Sequence, residues 1–166
     1  MKKLLMLMTL ANLMCGCFLT PTVNMTGSIC VQPSIVTEYK TNDFIKVTSD
    51  LTNRIASEFD KEMKKTITSE SKMQVVDCGA SDYELITSFN TIKIEGQGSL
   101  SLIPNIVGRS NQKTNYALTV DYRLKSKEVP LILSGDVHND RDDISDLLTS
   151  LSREIVDNIK NFKVTK

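Results

Sequence analysis

The sequence predicts an α+β domain: a mixed, mostly antiparallel sheet in β-α-β-β-β-β-α order, with two amphipathic helices packed on one face. Three observations carry that prediction. Two long stretches repeat apolar residues at i, i+3 and i+4 steps, the pattern of helices with a single buried face. Five shorter stretches are rich in apolar and β-branched residues, several in period two. Glycine, proline and short polar runs separate them. A half-buried helix needs a surface to cover, and so does a sheet with one wet face. Stacking both helices on the same side of the sheet satisfies all three.

The first strand is expected over Met25–Ile35, where Ile29, Val31 and Ile35 share a face. Pro33 lacks an N–H, so this strand ends early or lies at an edge. Thr41, Asn42 and Asp43 are helix-capping residues. A helix from there to about Ile67 would bury Phe44, Val47, Leu51, Ile55, Phe59 and Met63. Lys61, Lys64 and Lys65 then fall near its end, where the helix dipole favours cations. A short strand follows at Met73–Cys78, broken by Gly79-Ala80-Ser81. A right-handed crossover through the helix makes the first two strands parallel, and the remaining strands are expected as a meander.

Tyr83–Glu95 is a longer strand. Tyr83, Leu85 and Phe89 point one way, and Ile86, Ile92 and Ile94 the other. Such a change of apolar face implies a twist, a bulge or cover on both sides. Tyr116–Leu124 alternates most cleanly: Tyr116, Leu118, Val120, Tyr122 and Leu124 face a core, and Ala117, Thr119, Asp121 and Arg123 face water. Lys125–Glu128 is a polar turn and Val129–Val137 the returning strand. Asp140–Asp143 opens the last helix, which runs to about Phe162 on a stripe of Ile144, Leu147, Leu148, Leu151, Ile155, Ile159 and Phe162.

Residues 96–115 stand apart. Gly96, Gly98, Pro104 and Gly108 punctuate an apolar set of Leu100, Leu102, Ile103, Ile106 and Val107. Loops of this length are uncommon in small domains and often functional. Two readings are open: a Gly-rich hairpin extension packed on its own domain, or an apolar flap that meets a partner or a membrane surface. Gly96-Gln97-Gly98 is not a phosphate loop, since that motif's Lys and Ser/Thr are missing.

Composition narrows the function. Basic and acidic side chains number 20 each, with no Lys/Arg stripe, so nothing attracts nucleic acid. Tryptophan is absent and aromatics make up 5%, which disfavours a sugar- or base-stacking platform. Asp136, His138, Asp140, Asp142, Asp143 and Asp146 cluster in sequence. At a helix start such carboxylates cap free amides and meet the positive dipole end, and the calcium-loop spacing is missing. The single histidine has no second histidine to join it at a metal, and no G-x-S-x-G elbow occurs. The chain is expected to be non-catalytic, without metal or cofactor.

The first residues carry the clearest signal. Met1-Lys2-Lys3 is a short positive region, Leu4–Leu13 is uncharged and apolar at all but Thr9 and Asn12, and Met14-Cys15-Gly16-Cys17 follows. This is the layout of an export signal, and it is well short of the roughly 18–20 apolar residues that span a bilayer. Gly16-Cys17 resembles a bacterial lipobox, in which a small residue precedes the modified cysteine. Met14 stands where leucine is usual, and Cys15 occupies a small-residue position. The resemblance implies cleavage after residue 16 and acylation of Cys17. Pro21 and the threonines around it disfavour regular structure, so residues 17–24 are expected as a lipidated tether and 25–166 as a single domain. Several acyl chains anchor stably, at about 0.8 kcal/mol per buried CH₂, where one does not. Phe18 rather than Asp follows the cysteine, which by resemblance to enterobacterial sorting implies the outer membrane; the domain is expected to face the periplasm. Of the other cysteines, Cys15 leaves with the signal, so Cys30 and Cys78 remain. In an oxidising compartment they either pair or stay as two separate buried thiols.

Ser81-Asp82-Tyr83-Glu84-Leu85-Ile86 resembles the strand opening of the curli-secretion-channel lipoproteins, whose fold is similar to the N-terminal domain of the periplasmic translocation propeller protein. Leu131–Asp136 followed by a polar stretch and a helix fits the same group. The short tether, early helix, meander and terminal helix also resemble lipopolysaccharide-assembly lipoproteins. Neither resemblance brings catalytic residues. Together they imply an accessory or assembly lipoprotein that binds envelope proteins, with self-association open. The alternative is a lipid or glycolipid handler, which needs an apolar cleft between helices and sheet.

Overall fold

A computed structural model of the chain describes residues 26–37, 40–41, 49–97, 113–128 and 130–162. The export signal, Cys17, the tether, Asn42, Asp43, Phe44, Val47 and residues 98–112 lie outside the described residues. The elements are β1 (Gly27–Val31), β2 (Ile35–Val36), β3 (Lys40–Thr41), α1 (Ser49–Glu70), β4 (Met73–Val75), β5 (Tyr83–Gln97), β6 (Lys113–Ser126), β7 (Leu133–Arg141) and α2 (Ile144–Lys160). The fold class is the expected one: α+β, with β5, β6 and β7 as an antiparallel meander.

The sheet order is β4-β1-β5-β6-β7. β1 pairs parallel with β4, as a crossover through α1 requires. It also pairs parallel with β5 on its other side, an insertion the linear pattern does not announce. The single first strand expected over Met25–Ile35 is instead broken. Pro33 interrupts it, and the chain resumes as β2 and then β3, both parallel to β5 further along. Ser34 repairs the break: its N–H and hydroxyl donate to the Asp60 carboxylate of α1, and its Oγ lies 2.6 Å from Thr87 Oγ1 on β5. Thr87 is fully buried, so this cluster gives it a partner inside the core.

β5 resolves the conflicting apolar faces. Its register with β6 shifts between Phe89 and Thr91. The extra residue flips parity, so Leu85 and Phe89 before the bulge and Ile92 and Ile94 after it all enter one core. Ile92 and Ile94 therefore do not oppose Phe89, and only Ile86 of the expected second set stays on the open face, half-buried. β6 keeps its alternation, burying Leu118, Val120, Tyr122 and Leu124. β7 starts at Leu133, not Val129, because Pro130 cannot donate to the ladder; the Ile132 N–H to Leu124 carbonyl bond is the first joining it to β6. It also runs past Val137 to Arg141, since β6 offers partners as far as Tyr116.

α1 ends at Glu70, beyond Ile67, and has no basic residue in its last turn. Lys61 and Lys65 thus serve i,i+3 pairs with Glu58 and Glu62 rather than the dipole. The cap of α2 is Asp143, which accepts from the amides of Ser145 and Asp146 at 2.7 and 3.0 Å, and Lys160 sits in the last turn. The helices lie side by side in the same sense, joined by Thr149 to Glu62 and Arg153 to Glu70. Beneath them Phe59, Met63, Leu147, Leu151 and Ile155 meet Ile29, Leu85, Phe89, Leu118 and Val120. Phe59 and Phe89 pack edge to face with centroids 5.2 Å apart.

Candidate partner-binding surface

Both helices start at the end of the sheet where β5 and β6 continue as a two-stranded ribbon to the Gln97–Lys113 pair. There Leu51, Ile55, Ile144, Leu148 and Tyr116 line a groove of about 260 Å³. Glu58 and Arg54 stand at its rim. The Lys61 ammonium, bonded at 2.8 Å, holds the Glu58 carboxyl below its ordinary range. Helical periodicity marks Leu51, Ile55, Ile144 and Leu148 as core positions. It carries no sign that the helix starts leave a groove, because that depends on how two remote segments meet.

β7 is the second open feature. No strand lies beyond it among the described residues, so its outer backbone groups are unpaired by the sheet. Asp136, His138 and Asp140 alternate along it, and Asp136 stands opposite Asp121 of β6. The Asp140 position is thus a strand residue, not part of a helix start; only Asp143 caps. His138 Nδ1 lies 2.9 Å from the Thr119 hydroxyl rather than a carboxylate. Among the described residues, no group of three or more His, Cys, Asp or Glu is arranged to hold a metal ion.

Cys30 and Cys78 form a disulfide with Cα atoms 4.8 Å apart, tying β1 to the turn after β4. Of the two readings of these thiols, the paired one holds. The same end of the sheet is fixed by Asp82, whose Oδ2 accepts from the Ser28 amide at 2.8 Å and the Ser28 hydroxyl at 2.7 Å. Those bonds, the amide first, hold the Asp82 carboxyl below its ordinary value. Gly27 has φ 123°, and a Cβ there would lie 2.8 Å from Asp82 Oδ2, so only glycine fits. The apolar residues expected to meet a partner, Leu100, Leu102, Ile103, Ile106 and Val107, are outside the described residues, as is Cys17. No helix among the described residues is long and apolar enough to cross a membrane.

No protein-family model and no curated protein matches the sequence. Solved structures do share the fold. PelC from Paraburkholderia phytofirmans, described as a dodecamer, is 11% identical with a TM-score of 0.56, over 86% of this chain and 94% of that one. The hypothetical protein CT253 from Chlamydia trachomatis is 11% identical with a TM-score of 0.53, over 82% and 96%. A Xanthomonas campestris protein assigned to DUF330 is 9% identical with a TM-score of 0.51, over 85% and 84%. At these identities the likeness is one of fold.

Proposed function

We propose that the protein is a non-catalytic outer-membrane lipoprotein that serves as an accessory or assembly component of an envelope secretion or transport complex. The observation that carries this reading is Gly16-Cys17 at the end of an uncharged apolar run behind Lys2 and Lys3. The Cys30–Cys78 disulfide supports it, since such bonds persist in oxidising compartments. Acylated Cys17 holds the domain to the membrane facing the periplasm, and protein binding is its work.

Two surfaces suit that work. One is the end of the β5–β6 ribbon with residues 98–112; the other is the β7 edge, where an added strand would pair with free backbone groups. Asp136 and Asp140 on β7 favour a basic partner there. Self-association is part of the proposal, because PelC, which shares the fold, is described as a dodecamer. Lipid handling is disfavoured: the apolar groove at the helix starts holds about 260 Å³, below the roughly 300–1,000 Å³ usual for small-molecule sites, and the larger hollows of about 450 and 440 Å³ carry charged linings, Lys64 and Asp77 in one and Asp82, Lys127 and Glu128 in the other.

The test is crosslinking of the acylated protein in membranes, followed by pull-down, with residues 98–112 replaced by a short turn. The proposal expects a specific protein crosslink that is lost on shortening, or, if β7 is the working edge, lost on adding a proline at His138 instead. A folded protein that crosslinks to neither protein nor itself, and co-purifies with lipid alone, would overturn it.

A further inference from the structure

We infer that the domain stands end-on, with the Gly27 end of its sheet against the bilayer and Leu131 seated among the lipid headgroups and acyl chains. The inference rests on the proposed acylation of Cys17 and adds the posture of the domain on that membrane. The occupant of this surface is lipid.

Thr26 leads into β1 beside Tyr83, Ser126, Lys127 and Ile132. Nine steps separate Cys17 from Thr26, and at no more than about 3.6 Å each they reach roughly 30 Å. β5 runs 15 residues away from this end, which at about 3.3 Å per residue is roughly 50 Å. The tether therefore cannot let the domain stand inverted, with the Gln97 end down. An end-on posture and a flat one remain.

Exposed apolar side chains separate these two. Two large apolar side chains are exposed among the described residues, Leu131 at 52% and Ile35 at 58%. Leu131 follows Pro130 and precedes Ile132, whose N–H bonds the Leu124 carbonyl. Leu124 pairs with Leu85, so Leu131 lies level with Tyr83 at the entry end. Ile35 pairs with Ser88, partway along the sheet. The open face of the sheet, which a flat posture on the Ile35 side would press down, carries charge along its length: Lys93 and Glu95 pair there, and Asp121, Arg123 and Asp136 stand further along, near the level of Ile35. Charges at that density resist the apolar interface, whereas Leu131 gains from it. Asp82, Lys127 and Glu128 lie together at this end, two carboxylates against one ammonium, so no basic excess draws anionic lipid and apolar contact sets the posture.

The chain has no tryptophan, so single reporters are available. Leu131→Trp and Ile35→Trp, each made in the processed, acylated protein, are reconstituted into phosphatidylcholine vesicles carrying brominated acyl chains. The expected result is strong quenching and a blue shift for the L131W reporter, little change for the I35W reporter, and no dependence of either on added anionic lipid. Both sites are exposed, so folding is not at stake. Quenching of I35W equal to or above that of L131W, or quenching of neither, would overturn the posture. A Cys17→Ala protein that floats with vesicles as well as the acylated one would instead overturn the anchoring reading. The two failures are thus distinguishable.

Discussion

Tyr122 and Gly135 show how one side chain depends on the absence of another. They are direct partners across β6 and β7, and a Cβ at Gly135 would lie 2.6 Å from Tyr122 Oη and 2.9 Å from Cζ. The ring occupies the space over the glycine, which shields that backbone. Burial pushes the phenol above its ordinary value, against the opposing hydrogen bond from Asn158. Gly135→Ala should therefore cost about 1–3 kcal/mol by overpacking, read as a lower urea midpoint with an unchanged slope. Asp82 predicts a pH effect. Its folded carboxyl is held below the ordinary 3.8 by Ser28, so the stabilisation is full above that value and is lost as pH falls through the lower folded one. Asp82→Asn should flatten the acid limb of stability measured below pH 3.8 and leave ionic-strength dependence near neutrality almost unchanged. An acid limb identical to the parent's would rule Asp82 out as its source.

At the scale of elements, the disulfide binds β1 to the far side of α1, enclosing that helix within a 48-residue separation. Loop closure of this size contributes about 2–4 kcal/mol. The Cys30→Ser, Cys78→Ser double variant should unfold at lower urea by that amount, and the parent should match it once reduced; equal midpoints would show that the bond adds nothing. Which elements were legible follows from what fixes them. β6 and α2 were readable because period and caps are local: Asp143 and the Leu147–Ile159 stripe need only their own neighbours. The break at Pro33 was half visible; its continuation as β2 and β3 was not, because two-residue strands exist only through their pairing with β5. The opposed faces of β5 signalled a bulge, but which residues shared the core awaited the register with β6. The end of β7 is not legible because Asp140 reads with Asp142 and Asp143 as a helix start, yet an edge strand tolerates Asp136, His138 and Asp140. The groove between Leu51, Ile55, Ile144, Leu148 and Tyr116 depends on segments far apart in sequence.

At the scale of the whole molecule, the ends of the sheet differ in character. The Gly27 end gathers the chain entry, the Ser28–Asp82 bonds and Leu131; the opposite end carries the helix starts, the groove and the ribbon that leads to residues 98–112. Under the proposed anchoring and posture, the groove and ribbon point away from the membrane, where a protein partner would meet them. That division of labour stands only if Cys17 is the anchor. Intact mass spectrometry of the protein extracted from its native membrane is the most direct test. The account predicts a chain beginning at Cys17 and carrying added acyl mass, with Cys17→Ala retained as an unprocessed form that lacks it. An N-terminus at Met1 in the wild-type protein, or a mature chain without acyl mass, would contradict it.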